Sequence, residues 1–152
     1  HIDHTLACKI VKNKFNPIYY APELDIPLIQ NANQQASFVG MDFSISILPD
    51  EYLTEDKNLC LGKSELSFLF TPGHTPGEFC IYIQENKTCI SGDVLFYDSI
   101  GRTDLWGGNY DTLIKSINEK LLILPDDTKI YPGHGESSTI SREKNLNPFL
   151  NN

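Results

Sequence analysis

Thr71-Pro72-Gly73-His74-Thr75-Pro76-Gly77 follows directly on Leu66-Ser67-Phe68-Leu69-Phe70, and this junction decides how the chain is read. The apolar run predicts a strand. The turn after it is stiffened by Pro72 and Pro76, and Gly73 and Gly77 let the backbone bend sharply around a histidine. The same arrangement recurs downstream. Thr88 to Ser91 predicts a strand that ends at Gly92-Asp93. Lys129-Ile130-Tyr131 predicts a short strand that delivers Pro132-Gly133-His134-Gly135. The chain itself opens on His1-Ile2-Asp3-His4, read as a loop. These segments hold all 4 histidines of the protein. Neutral imidazole is the commonest metal ligand, and carboxylates complete hard, water-activating sites. One histidine beside a glycine is ordinary surface chemistry. Four of them, each next to a turn-forming glycine or a nearby aspartate, predict a metal site built from His1, Asp3, His4, His74, Asp93 and His134.

Working outward, the other elements complete an α/β pattern. Thr5 to about Phe15 predicts a helix with Leu6, Ile10 and Val11 on its apolar face, stopped by Pro17. Ile18-Tyr19-Tyr20 reads as a strand. Pro22 opens a second helix with Leu24, Leu28 and Ile29 on one side, and its continuation from Asn31 to Ser37 is polar. Gly40 to Leu61 is the least regular stretch. Phe79 to Gln84 pairs with Thr88 to Ser91 across a Glu85-Asn86-Lys87 turn. Asn109 caps a helix from Tyr110 to about Leu122, whose Leu113, Ile114, Ile117 and Leu121 face a core. A last helix runs from Thr139 to about Asn145. Each ligand therefore falls in a loop next to a strand, the usual place for a site on a layered scaffold.

The bulk properties set limits. At 152 residues the chain has room for one domain with a real core. Its formal net charge of -8 argues against non-specific nucleic-acid binding and against docking on anionic membranes. An anionic substrate is still admissible, because a dication reverses the local field. No apolar run approaches the ~20 residues that span a bilayer. Cys8, Cys60, Cys80 and Cys89 have no CxxC spacing, and they read as reduced, mostly buried thiols of a cytoplasmic protein.

The ligand chemistry narrows the function. In a tight loop the first His and the Asp-His pair of His1-x-Asp3-His4 can splay to two neighbouring ions, and a carboxylate such as Asp93 can bridge them. Two ions ~3.5–4 Å apart share and activate a water near neutral pH and polarise a substrate carbonyl. A His/Asp set without thiolate suits zinc, with iron and manganese as further options.

Together these motifs resemble those of the metallo-β-lactamase-fold hydrolases, within them the single-domain glyoxalase-II-like branch. That family opens on His-x-His-x-Asp-His, of which His1, Asp3 and His4 match the last three ligands. The His74, Asp93 and His134 segments match the later motifs. The Ile100-Gly101-Arg102-Thr103-Asp104-Leu105 stretch and Glu143-Lys144…Asn147-Pro148-Phe149-Leu150 also look like this branch. The resemblance implies an αββα four-layer sandwich, with residues 1–152 forming the end of its first half and all of its second. It also implies that a segment carrying a further His and most of the first sheet precedes His1. On this reading His1 and His74 join the absent His on one metal. Asp3, His4 and His134 hold the other, and Asp93 bridges.

The expected activity is that of a dinuclear metal hydrolase cleaving a small thioester, such as an S-2-hydroxyacylglutathione. Asp3 and Asp93 are its catalytic carboxylates, with Asp3 orienting the attacking water. A thiolate leaves readily, so no separate general acid is needed. Thiolate-ligand β-lactamases place a Cys where Asp93 stands, and Cys89 lies on a predicted strand and reads as core. Arg102 is expected either to grip a substrate carboxylate in bidentate fashion or to contact Asp104. The alternative is a mononuclear iron persulfide dioxygenase of the same fold, which shares a Gly-Arg-Thr-Asp stretch. Oligomeric state is left open.

Overall fold

The computed structural model describes residues 1–38, 40 and 46–151. It divides into two compact units, residues 1–53 and 54–152. Part of the irregular stretch that begins at Gly40 lies outside the described residues.

The first unit is mostly helical. Helix α1 is a single turn, Ile2–Thr5, and α2 spans Cys8–Phe15. The loop expected over His1 to His4 is thus a helical turn, and the single helix expected from Thr5 is interrupted. Asn16 ends α2 in the left-handed conformation (φ 47), which Asn tolerates, and its N–H bonds the Lys12 carbonyl. The apolar face expected for α2 does not become core: Ile10 is 67% exposed and α2 buries no residue. Periodicity identifies an apolar face, but it supplies nothing to cover it. The expected strand at Ile18 is two residues long and shifted, with β1 at Tyr20–Ala21. A 3-10 turn, Glu23–Asp25, leads into α3, Ile26–Gln30, where Ile29 is buried but Leu24 is exposed. Helix α4, Ala32–Phe38, buries Ala32 and Ala36 one turn apart, and Ile2 and Leu6 pack against them. Strand β2, Glu51–Tyr52, pairs in parallel with β1. The Asp50 carboxylate braces this corner. It accepts from the Tyr19 N–H at 2.7 Å and the Lys12 ammonium at 2.5 Å.

The second unit is built on a six-stranded sheet. In chain order its elements are β3 (Leu59–Leu61), β4 (Ser64–Phe70), β5 (Phe79–Ile83) and β6 (Thr88–Gly92). A small hairpin, β7 (Leu95–Phe96) and β8 (Ser99–Ile100), follows. Helix α5 (Tyr110–Ser116) continues into a π turn over Ile117–Leu121. Strands β9 (Lys129–Pro132) and β10 (Ser138–Thr139) and helix α6 (Ile140–Leu146) complete the unit. The sheet order is β10-β9-β6-β5-β4-β3. Every neighbouring pair is antiparallel except β6 and β9. A parallel pair needs a crossover, which the β7–β8 hairpin, α5 and the π turn provide.

Side-chain alternation gives the sheet its buried face. Tyr82, Cys89 and Ile130 lie opposite one another on β5, β6 and β9, all buried. Leu113, Ile117 and Leu121, spaced i, i+4, i+8, are fully buried in the same core. Each such side chain contributes ~1.5–3 kcal/mol by leaving water. All four cysteines are free; Cys80 and Cys89 belong to this core, whereas Cys60 is exposed, contrary to the expectation of mostly buried thiols.

Candidate metal centre

The sheet explains why candidate ligands distant in sequence meet. Strand β5 is antiparallel to both β4 and β6, so β4 and β6 run the same way, and β9 is parallel to β6. All three therefore end at one edge of the sheet. His74 follows β4, Asp93 follows β6 and His134 follows β9. His74 Nε2 and His134 Nε2 each lie 3.6 Å from the same oxygen, Asp93 Oδ2. His74 and Asp93 are buried; the His134 side chain is 56% exposed.

Each loop is held by its own contacts. The Asn109 side chain accepts from the Thr112 N–H at 2.9 Å and caps α5, as the sequence predicts. Its N–H bonds the Gly73 carbonyl at 2.8 Å, and Ser116 Oγ donates to the Pro72 carbonyl at 2.7 Å. Helix α5 thus clamps the His74 loop. Gly73 permits this approach: a Cβ there would lie 2.4 Å from the Leu113 backbone. At Gly101 a Cβ would fall 1.8 Å from the Asp93 carbonyl oxygen, so only glycine fits behind Asp93. The Gly133 N–H bonds the Gly92 carbonyl at 2.7 Å, tying the His134 loop to the Asp93 loop.

His74 is oriented by its second ring nitrogen. Nδ1 lies 2.8 Å from the Arg102 carbonyl oxygen. A carbonyl can only accept, so Nδ1 carries a proton and Nε2 is the ring nitrogen turned toward the site. Two nitrogens at 3.6 Å from one carboxylate oxygen are too far for hydrogen bonds. The spacing suits atoms sharing a cation, since ligands about 2.1 Å from a tetrahedral ion stand about 3.4 Å apart. The donor set, imidazole and carboxylate without thiolate, fits zinc, iron or manganese.

The guanidinium of Arg102 forks onto Asp104 at 2.7 and 2.8 Å, the second of the two destinations expected for it. The hydrogen bond from Arg102 holds the Asp104 carboxyl down at about 2. The part of Arg102 that reaches the site is its main-chain carbonyl. Cys89 stays in the core, away from the ligands, as expected. Cys89→Ser is accordingly expected to leave metal content unchanged, measured by elemental mass spectrometry on purified protein; a loss of metal would give Cys89 a place in the site.

In the first unit, His1 precedes α1, which carries Asp3 and His4. His4 Nε2 lies 3.7 Å from Asp3 Oδ2, with both side chains more than a third exposed. The helical turn sets His1 and His4 three residues apart, on neighbouring positions of one face.

Glu78 was not among the sequence candidates. Its Oε1 accepts the Asp93 N–H at 2.8 Å. The available signal was a charged residue at the head of an apolar strand, immediately after the Gly77 turn.

Residues 1–134 match the model of the metallo-beta-lactamase superfamily. The chain belongs to that superfamily. Membership supports a metal-dependent hydrolase of α/β fold that binds divalent metal. Among relatives, the chain is 40% identical over 152 residues to the probable metallo-hydrolase YqgX of Bacillus subtilis (strain 168), covering 99% of this chain and 72% of that one. It is 40% identical over 153 residues to the hydroxyacylglutathione hydrolase GloC of Haemophilus influenzae, again covering 99% and 72%. Among solved structures, BLEG-1 B3 metallo-beta-lactamase superposes with a TM-score of 0.90 at 38% identity, covering 100% of this chain and 74% of that one. TTHA1623 in a di-iron-bound form superposes with a TM-score of 0.89 at 35% identity, covering 99% and 73%. Among the described residues no helix is long and apolar enough to cross a membrane.

Proposed function

We propose that this metal-dependent hydrolase cleaves small thioesters of the hydroxyacylglutathione type. The observation that carries the reading is the convergence of His74 Nε2 and His134 Nε2 on Asp93 Oδ2 at 3.6 Å each. The 40% identity to a hydroxyacylglutathione hydrolase supports this substrate class. By the sequence motifs, Asp93 would be the ligand common to two ions, His74 and His1 would hold one of them, and His134, Asp3 and His4 the other. Two divalent ions in such a site activate water near neutral pH and polarise a carbonyl. Zinc is the first choice from the donor set, and the di-iron-bound TTHA1623 makes a pair of irons its direct competitor.

The chain's own groups fit a thioester. The Arg102 carbonyl holds the His74 proton on Nδ1, so Nε2 stays available. Asp3, more than a third exposed beside His4, would orient the attacking hydroxide while serving as a metal ligand. The motifs name no further acid to protonate a poor leaving group. A thiolate leaves without one. The substrate is a small molecule, with neither nucleic acid nor membrane surface as partner, in keeping with the net charge of -8. The free, buried Cys80 and Cys89 thiols suit a reducing cytoplasm.

The test pairs metal analysis with three assays on one preparation. About two ions per chain and thiol release from an S-2-hydroxyacylglutathione are expected. A second reading, lactam hydrolysis, draws on the similarity to BLEG-1 B3 metallo-beta-lactamase. Turnover of a chromogenic cephalosporin without thioester cleavage would replace the thioester reading with it. One iron per chain with oxygen uptake on glutathione persulfide would establish the dioxygenase instead.

A further inference from the structure

We infer that Glu78 is a positioning residue for the metal centre, setting the Asp93 carboxylate in place by holding that residue's backbone N–H. The inference rests on the metal-site reading above, but not on the thioester. Glu78 closes the His74 loop: its carbonyl accepts the Thr71 N–H at 2.9 Å, so residues 71–78 return to the sheet at a fixed point. From there its side chain reaches the neighbouring loop, where Oε1 accepts the Asp93 N–H at 2.8 Å. One residue thus joins the loop of one candidate ligand to the backbone of another. Asp93 has little freedom left. Its carbonyl is backed by Gly101, its N–H by Glu78, and the preceding Gly92 carbonyl takes the Gly133 N–H.

Gly92 makes room for this contact. It holds a left-handed φ of 51, and a Cβ there would lie 2.9 Å from Glu78 Oε1. A side chain at position 92 would contest the space the carboxylate uses. The carboxylate-to-amide bond is charge-assisted and so stronger than a neutral one. Residues that orient metal ligands without touching the ion commonly change affinity by about 10–100-fold when removed. The Glu78 contact differs from the usual partner of a ligand, because it fixes main chain rather than the coordinating group. It leaves Asp93 Oδ2 to face the two imidazoles.

The experiment measures the zinc dissociation constant of metal-stripped protein by competition with a chelating dye, for the wild type, Glu78→Ala, Glu78→Gln and Leu121→Ala. Leu121→Ala removes a fully buried core side chain and serves as the control for general destabilisation. Glu78→Ala is expected to weaken zinc binding by about 10–100-fold. Glu78→Gln keeps an oxygen acceptor for the Asp93 N–H and is expected to restore affinity to within about threefold of wild type, by the same scale. Unchanged affinity in Glu78→Ala would overturn the inference. So would Glu78→Gln as weak as Glu78→Ala, which would assign the effect to charge, or Leu121→Ala as weak as Glu78→Ala, which would make it plain destabilisation. Protein that shows the expected zinc series yet cleaves no thioester would refute the substrate proposal and leave this one standing.

Discussion

Asp93→Ala is expected to abolish turnover and to strip metal from the protein. Asp93 Oδ2 is the single oxygen that both His74 Nε2 and His134 Nε2 face, at 3.6 Å each. Removing the carboxylate leaves two imidazoles with no shared anion between them and takes away the proposed bridging ligand. The expected loss in kcat/KM exceeds about a thousandfold, equivalent to about 4 kcal/mol of transition-state stabilisation. Metal content should fall from about two ions per chain to one or fewer, because a two-metal site depends on its bridging ligand. Elemental mass spectrometry and a thioester assay on the same sample read both effects, and circular dichroism checks the fold. Asp93→Asn should lie between wild type and Asp93→Ala, since it keeps the shape but loses the charge; the Glu78 contact is to the main-chain N–H and survives in both. Normal turnover with two bound ions in Asp93→Ala would end the bridging assignment.

The sequence made the candidate ligand loops of the second unit legible because each signal there was local. An apolar run of strand length, then Pro, Gly and His, describes β4 and the His74 loop without tertiary context. The Asn109 cap was legible for the same reason, as was the spacing that buries Leu113, Ile117 and Leu121. Three kinds of feature were not legible. Strands of two residues, such as β7, β8 and β10, carry no period to detect. Helix α2 has the spacing of an amphipathic helix, yet Ile10 is exposed, because periodicity does not report what covers a face. The third kind is the charged residue that works from inside. Glu78 and Glu143 both act by accepting hydrogen bonds from backbone or side chains brought from elsewhere in the chain. No local pattern encodes the arrival of such a donor.

Glu143 gives the largest effect expected on stability. Its side chain is completely buried on α6. Oε2 accepts the Asp98 N–H at 3.0 Å and the Asn147 side-chain amide at 2.9 Å. Oε1 accepts from Arg142 at 2.9 Å and from the Ser138 hydroxyl. Around it, the Arg142 guanidinium lies 3.6 Å above the Tyr97 ring and forks onto Asp98 at 2.6 and 2.9 Å. The hydrogen bond from Arg142 holds the Asp98 carboxyl below the usual carboxylate range. A depressed carboxyl contributes stability above its unfolded pKa and loses it as pH falls through the folded value, so this brace is complete at neutral pH and is lost in acid. Asn147 adds a bond to the Ser99 carbonyl at 3.0 Å. Together these contacts fasten the β7–β8 turn to α6, and that hairpin separates Asp93 from the glycine that backs it, Gly101. Glu143→Ala leaves four donors facing a cavity, one of them charged. Breaking a buried charged pair by removing one partner costs about 3–5 kcal/mol, a fifth or more of the total for a small domain of about 5–15 kcal/mol. The urea midpoint should fall accordingly, with little change in the slope of the transition. Glu143→Gln should cost less, about 1–3 kcal/mol, because its amide keeps one acceptor and turns its NH2 toward donors. A loss below about 1 kcal/mol for Glu143→Ala, the scale of an ordinary surface substitution, would mean that the buried carboxylate does not hold the hairpin. Because the hairpin lies between Asp93 and Gly101, Glu143→Ala should also loosen zinc binding, and by less than Glu78→Ala, since it acts on the Asp93 loop from its far end.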